Sequence, residues 1–117
     1  MRIVSRENCV EVDSDTCGSL TELLNNPPIP ISIAIAKDIK PTINHSHKRS
    51  TEIYWVTEGT VVLEVTSNEN VQTVSLEEGS ILAIEPNELH KVISSSEKNN
   101  VIVLSTPPWS PNDEFIT

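Results

Sequence analysis

Four side chains of metal-binding type lie in two short segments of the sequence. His45 and His47 are followed by Glu52, while His90, the third and last histidine, lies much further along the chain. Imidazole nitrogens and a carboxylate oxygen suit a divalent first-row metal such as iron, manganese, nickel, copper or zinc. The residue types therefore predict one divalent transition metal per chain, with coordination positions left open for a small molecule.

The spacing of these residues indicates how strands would position them. His45 and His47 are two residues apart, so on an extended strand their side chains point to the same face. Residues 48–51 are typical of a polar turn, and Glu52 begins a predicted strand. We expect a hairpin that returns Glu52 to the two histidines, while His90 reaches them from across the fold. The alternative is a solvated loop in which the histidines have no role.

The sequence around these residues is typical of short strands. Apolar residues alternate with polar or small ones, and polar turn-forming segments separate the alternating runs. The predicted strands cover residues 31–35, 52–56, 61–65, 71–76, 80–84, 91–94 and 101–105. Short strands at this spacing indicate an all-β sandwich or barrel.

Two segments outside these strands carry separate predictions. Ser19 and Glu22 are spaced as a capping box for one short N-terminal helix, Leu20 to Leu24, which two asparagines and two prolines end. We expect this helix to cover one end of the barrel. The tail from Thr106 to Pro111 is rich in prolines, which lack amide donors, so it is expected to run extended over the surface.

Composition limits the partners and the compartment. The 117 residues show no internal repeat or linker, which predicts one domain spanning residues 1–117. A net charge of -9 disfavours nucleic acid and anionic membrane surfaces as partners. The apolar stretches are too short to span a bilayer and no signal peptide is evident, so we expect a soluble, cytoplasmic protein. Cys9 and Cys17 are interpreted as two reduced thiols without a catalytic role.

The first group of candidate ligands resembles the first motif of the cupin family, His-x-His, three or four residues, Glu, six residues, Gly. His45, His47, Glu52 and Gly59 match this motif with the four-residue option. Because glutamate and glycine both occur at the required intervals, the match favours metal ligands over histidines without a role.

The second cupin motif, Gly, five residues, Pro-x-Gly, two residues, His, is matched less completely. Gly79 and His90 stand at the family spacing, but Glu85 replaces the proline and Asn87 the glycine. Asparagine adopts the left-handed turn conformation more readily than most residues do. The resemblance therefore still implies that His90 is a ligand.

The resemblance covers about residues 30–105 and implies a double-stranded β-helix, a jelly-roll barrel whose mouth holds the metal. Residues 1–29 would then form N-terminal strands and the short helix, and residues 106–117 an extended tail. Similar proteins are often homodimers, and Trp55, on the opposite strand face to Glu52, is a candidate for that contact. The alternative for Trp55 is a partly buried position within one subunit.

The resemblance leaves the reaction open, because cupins include dioxygenases, isomerases, lyases and binding modules. We expect a metal-dependent enzyme that acts on a small polar molecule, either a sugar or an oxo- or hydroxy-acid. A non-catalytic module that binds or senses a small molecule is one alternative, and a metal that only ties strands together is another.

Three residues near the predicted ligands have two interpretations each. Tyr54 shares a strand face with Glu52 and is the candidate catalytic residue, with packing as the alternative. Lys48 and Arg49 form the basic pair beside the site. They either attract an anionic substrate or form the exposed tip of a turn.

Overall fold

The structure, a computed structural model, describes residues 3–117 and is built almost entirely of β-strands. Within this range the strands are β1 (Glu11–Ser14), β2 (Gly18–Leu24), β3 (Ser32–Lys37), β4 (His45–Ser46), β5 (Thr51–Glu58), β6 (Val61–Ser67), β7 (Asn70–Leu76), β8 (Ile81–Ile84), β9 (Leu89–Ser95), β10 (Asn100–Thr106) and β11 (Phe115–Ile116). Two 3-10 helices, Arg6–Asn8 and Pro111–Asp113, complete the described elements. No helix in this part of the chain is long and apolar enough to cross a membrane. The predicted all-β class is confirmed.

Two antiparallel sheets enclose the core. One has six strands in the order β1-β2-β3-β10-β5-β8, and the other has five in the order β11-β4-β9-β6-β7. The predicted alternation is confirmed in β6, where every second side chain from Val61 is buried. Buried apolar side chains from both sheets meet in one cluster, formed by Ala36, Ile39, Tyr54, Val56, Val61, Leu63, Val65, Leu76, Ile84, Val92, Val101 and Val103.

The predicted helix over Leu20–Leu24 is wrong, because this segment belongs to β2. That strand pairs with β1 on one edge and with β3 on the other. A five-residue helix is little more than a costly nucleus, whereas pairing on both edges supplies backbone hydrogen bonds along the segment. The Ser19 hydroxyl donates to the Glu11 carboxylate at 2.6 Å instead of capping a helix.

The C-terminal tail follows the predicted surface path only in part. Residues 107–110 lie outside the sheets, as their prolines predict. Beyond them, the Ser110 hydroxyl accepts from the Asn112 N–H and caps the second 3-10 helix. The last strand, β11, then pairs with β4 at the edge of the five-stranded sheet. The tail thus returns to the strand that carries His45.

Gly59 explains why the first motif ends in glycine. It links β5 to β6 with a φ of +77°, in the left-handed region. A Cβ added there would lie 2.2 Å from the Lys98 carbonyl oxygen and 2.4 Å from the Ser96 hydroxyl. Any side chain at this position would push apart the turn that joins β9 and β10.

The outer face of the six-stranded sheet carries a row of apolar side chains that reaches its edge strand β8. Ile35, Ile102, Trp55 and Ile81 stand side by side on β3, β10, β5 and β8. Trp55 is 41% exposed and Ile81 is 62% exposed, so no other part of residues 3–117 covers this row fully. A contiguous apolar row of this kind is typical of a contact surface.

Candidate metal centre

The structure brings the four candidate ligands together from three strands. His45 on β4 lies directly opposite His90 on β9, and His47 follows β4. Glu52 lies on β5 in the facing sheet. All four side chains are buried, and one potential ligand atom from each lies within 4.8 Å of the other three.

The predicted route of the chain between His47 and Glu52 is wrong. Strands β4 and β5 do not pair as a hairpin, because they belong to different sheets. Residues 47–50 carry the chain from the five-stranded to the six-stranded sheet. Glu52 therefore faces the histidines across the core, whereas His90, expected from across the fold, is the direct neighbour of His45.

Backbone carbonyls fix the tautomer of each histidine. Every Nδ1 lies within hydrogen-bond distance of a carbonyl oxygen, at 3.3 Å for His45, 2.9 Å for His47 and 3.0 Å for His90. Because a carbonyl oxygen only accepts, each Nδ1 must carry the proton. In the neutral ring Nε2 then presents a lone pair, which is the arrangement of metal-ligating histidines.

Two of the three Nε2 atoms lack the partners that buried polar atoms need, whereas Nε2 of His90 lies within hydrogen-bond distance of the Glu52 carboxylate. Nε2 of His45 and Nε2 of His47 are buried without a hydrogen bond from any residue within 3–117. The Glu52 carboxylate lies 3.3 Å from Nε2 of His47, outside hydrogen-bond alignment, and 3.2 Å from Nε2 of His90. Lone pairs and a carboxylate that share a dry site repel one another unless a cation lies between them.

The donor set fits a single divalent ion. Metal–ligand bonds of about 2.1 Å place neighbouring ligand atoms about 3 to 4 Å apart, so small side-chain rotations would close the observed cluster on one ion. The four residues that would hold it are His45, His47, Glu52 and His90. Imidazole and carboxylate donors accept several first-row metals, so the set does not select one ion by chemistry alone.

Burial and mutual contacts shift the ionisation of the cluster. Burial, with a smaller contribution from neighbouring His90, lowers the pKa of His45 from 6.5 to about 4. Burial also acts to lower the pKa of His47, but the Glu52 carboxylate and the Asp113 carbonyl outweigh it and raise that pKa. Burial alone would raise the pKa of Glu52, yet its contacts with His47 and His90 hold it well below its usual range. Glu52 is therefore ionised at neutral pH, as coordination requires.

Asp113 in the C-terminal tail supports the segment after His47. Its carbonyl oxygen accepts the Nδ1 proton of His47. Its carboxylate accepts from the backbone N–H groups of Lys48, Arg49 and Ser50 at 3.0 to 3.2 Å, and from the Ser50 hydroxyl at 3.2 Å. Burial alone would raise the pKa of Asp113, but these donors lower it. Sequence reasoning missed this residue, because a lone aspartate in a proline-rich tail does not signal a contact so far along the chain.

The second motif forms the predicted turn. Asn87 has a φ of 71°, so the expected left-handed conformation is confirmed. Its backbone N–H donates to the His47 carbonyl at 2.6 Å. This bond ties the turn before His90 to the segment that carries the first two histidines.

Tyr54 lies behind Glu52 on the inner face of β5. Its ring packs edge-on against His90, with 6.0 Å between the centroids. Its hydroxyl lies 3.9 Å from the sulfur of Cys17 in the N-terminal segment. Burial, together with nearby Cys17 and Glu52, raises the pKa of Tyr54 well above 10, and burial with the charge of Glu52 also raises the pKa of the Cys17 thiol. Both groups therefore keep their protons at neutral pH.

A cavity of about 300 Å³ adjoins the cluster at Glu52. This volume lies in the range of small-molecule binding sites. We call it the barrel cavity; its walls are Val12, Asp13, Ser14, Thr16, Cys17, Leu20, Glu22, Ser32, Ile33, Ala34, Glu52, Val103, Ser105, Trp109 and Glu114. Most of these residues lie on β1, β2, β3 and β10 or in the tail, and no sequence motif marked them.

The basic pair beside the histidines lies outside the barrel cavity. Lys48 and Arg49 are exposed, and neither lines the cavity. The Lys48 ammonium lies 4.4 Å from the centroid of the Phe115 ring, where a cation–π contact holds it. Their position fits the exposed-turn interpretation better than the attraction of a substrate.

The sequence matches the cupin domain family over residues 37–107, a range that contains all four clustered residues. No curated protein matches the sequence. Among solved structures, a variant of Streptomyces PAC13 with uridine is 17% identical with a TM-score of 0.79, over 100% of this chain and 94% of that chain. A protein from Planctomyces limnophilus is 20% identical with a TM-score of 0.80, over 99% of this chain and 96% of that chain.

Larger proteins contain the same fold as one part. Oxalate decarboxylase from Bacillus subtilis is 15% identical with a TM-score of 0.79, over 96% of this chain but 31% of that chain. At such identities the structural likeness shows the fold alone. The family match, however, covers more than half of the chain, so this protein belongs to the cupin family.

Proposed function

We propose that this cupin binds one divalent transition metal through His45, His47, Glu52 and His90, and that it is an enzyme acting on a small molecule in the barrel cavity. The proposal rests mainly on the buried Nε2 atoms of His45 and His47, which have no hydrogen-bond partner within residues 3–117. These atoms lie beside the ionised carboxylate of Glu52. Four protein ligands leave one or two positions open on a five- or six-coordinate ion.

The ion would supply a positive charge that polarises a carbonyl or hydroxyl oxygen of the substrate. The remaining tasks fall to the chain. The backbone carbonyls hold the imidazoles in one tautomer, and Asp113 holds the segment after His47. Tyr54 keeps its proton, so it can donate a hydrogen bond toward the site and cannot serve as a base without activation.

The solved neighbours support a small-molecule substrate. Pac13 is described as a nucleoside dehydratase, and its variant structure contains uridine. The Bacillus subtilis neighbour is an oxalate decarboxylase. We therefore propose a small polar substrate, either a sugar or an oxo- or hydroxy-acid, bound where the cavity meets Glu52.

Metal content tests this proposal. The purified protein should contain about one equivalent of a first-row metal, measured by plasma mass spectrometry. The His47→Ala variant should lose it, while Lys48→Ala, a change to the exposed neighbouring residue, should retain it. Full metal content in His47→Ala would refute the assignment. Loss of a metabolite from a library of sugars and keto acids, abolished in His47→Ala, would then establish turnover.

A binding or sensing module is the second candidate. It is favoured by the protonated state of both Cys17 and Tyr54 at neutral pH, which removes these two buried side chains as candidate bases. In that case ligands should protect the protein from thermal unfolding while none of them is consumed. Consumption of any tested compound in a metal-dependent manner would exclude it.

We propose a homodimer that covers the apolar row around Trp55. The row crosses the outer face of the six-stranded sheet from β3 to the edge strand β8, so a second copy could bury it face to face. Light scattering should give a dimer mass for the wild type and a monomer mass for Trp55→Glu. A monomeric wild type would contradict the dimer and leave the metal proposal untouched.

A further inference from the structure

The charges around the barrel cavity all have one sign. Four acidic residues line it, Glu52, Asp13, Glu22 and Glu114. None of the residues that line it within 3–117 is lysine, arginine or histidine. A bound divalent metal would be the one positive centre there, and it would already be shared with Glu52.

The carboxylates away from Glu52 are not neutralised by basic side chains. The two oxygens of Glu114 accept from the Thr16 hydroxyl and from the indole N–H of Trp109, and both donors are uncharged. Glu22 and Asp13 form no ion pair with any lysine or arginine in residues 3–117. A molecule in the cavity therefore meets a negative potential that no fixed cation offsets.

The rest of the wall exposes mainly apolar surface, and its side chains range in size from Ala34 to Trp109. Ala34 lies between Glu22 and Val103 across the inner face of the sheet, so the cavity is open where a larger side chain would fill it. Leu20 and Val103 supply apolar surface, and the hydroxyls of Ser105 and Thr16 supply a few polar groups. Such a wall suits a ligand with a mainly apolar body and few polar substituents.

We propose that the ligand of this cavity carries no negative charge, being an uncharged or cationic molecule with a mainly apolar body, and that anions are excluded. The inference rests on the proposed function, because it takes the cavity beside the metal cluster as the place of ligand binding. It narrows the substrate range by removing the free oxo- and hydroxy-acids. It leaves uncharged ring compounds with few hydroxyl groups, such as nucleosides, and amines.

Three probes of nearly identical shape test the sign of the charge. Benzoate, benzamide and benzamidinium carry charges of -1, 0 and +1 on the same ring, and their dissociation constants can be measured by ligand-observed NMR titration at pH 7.5. Benzamide and benzamidinium should each bind at least fivefold more tightly than benzoate. Benzoate within fivefold of benzamide, or no binding of any probe at millimolar concentration, would overturn the inference.

The titrations are run on the protein as purified and again after dialysis against a chelator. If the metal proposal fails, the two samples behave alike, yet the order of the three probes still tests the charge of the cavity. The two failures are therefore distinguishable.

A matched pair of variants assigns the effect to the cavity wall. Glu22→Gln should reduce the preference for benzamide over benzoate by at least threefold. Glu78→Gln, an equal change of charge at an exposed residue that does not line the cavity, should leave that preference unchanged. An unchanged preference in Glu22→Gln, or an equal reduction in both variants, would contradict the proposal.

Discussion

The metal cluster and the barrel cavity lie side by side but are built in opposite ways. The cluster consists of four buried polar side chains whose ring orientations are fixed by backbone carbonyls and by Asp113. The cavity is bounded by mainly apolar residues and by four acidic ones, which leave space between β2, β3 and β10. From this difference we infer that metal binding depends on the positions of a few ligand atoms. The choice of small-molecule ligand depends instead on the volume and charge of the barrel cavity.

Removing one metal ligand should have the largest effect, and it should weaken metal binding without changing ligand binding in the cavity. In His90→Ala the metal affinity should fall by at least about 100-fold, because an open coordination set loses one of its three imidazoles. The barrel cavity, which His90 does not line, should still bind benzamide as the wild type does. Competition with a chromogenic chelator measures the affinity. Unchanged affinity in a folded His90→Ala variant would contradict the assignment.

Removing the support from the tail should have the next largest effect. Asp113→Ala should weaken metal binding by about 10- to 100-fold, because the segment that holds His47 loses its acceptors. Asp113→Asn keeps the side-chain shape and one acceptor oxygen, so it should lose less affinity than Asp113→Ala, which keeps neither. If both variants bind the metal as tightly as the wild type does, the tail does not position His47.

Acid should release the metal through the histidines rather than through Glu52. The pKa of His47 is raised in the metal-free protein, so this ring binds a proton that the metal must displace. Below that pKa, affinity should fall by up to about tenfold per pH unit, because one proton is displaced. The pKa of Glu52 is held well below its usual range and that of His45 is lowered to about 4, so neither competes near neutral pH. Affinity that is constant between pH 7 and pH 5 would contradict this order.

Filling the barrel cavity should abolish ligand binding there and leave metal binding unchanged. In Ala34→Phe the new ring should occupy the space between Glu22 and Val103 and abolish binding of benzamide. Metal content should stay at the wild-type level. Val74→Ala, which removes apolar volume from the other sheet, serves as a control that should retain both properties. Loss of metal in Ala34→Phe would show that the two regions are coupled.

The sequence predicted the parts of the molecule that local patterns determine. Alternating apolar residues located most of the strands, and the intervals between His45, His47, Glu52 and His90 identified the cluster before any fold was known. These features are readable because a strand has a two-residue period and because the first three candidate ligands lie close together in the sequence.

The parts that the sequence did not predict depend on contacts between distant residues. The segment around Ser19 has a local helix signal, but pairing with β1 and β3 overrides it. Asp113 reaches the loop after His47 only because the tail returns to β4. The cavity wall joins residues from five strands, from the turn between β1 and β2 and from the tail. The crossing between the two sheets at residues 47–50 likewise follows from topology and not from a motif.

Anomalous diffraction at the absorption edge of the bound metal tests directly whether the four clustered residues hold one ion. We expect one anomalous peak per chain, about 2.0 to 2.3 Å from Nε2 of His45, His47 and His90 and from a carboxylate oxygen of Glu52. A peak elsewhere in the molecule, or none in crystals grown from protein with one equivalent of metal, would contradict it.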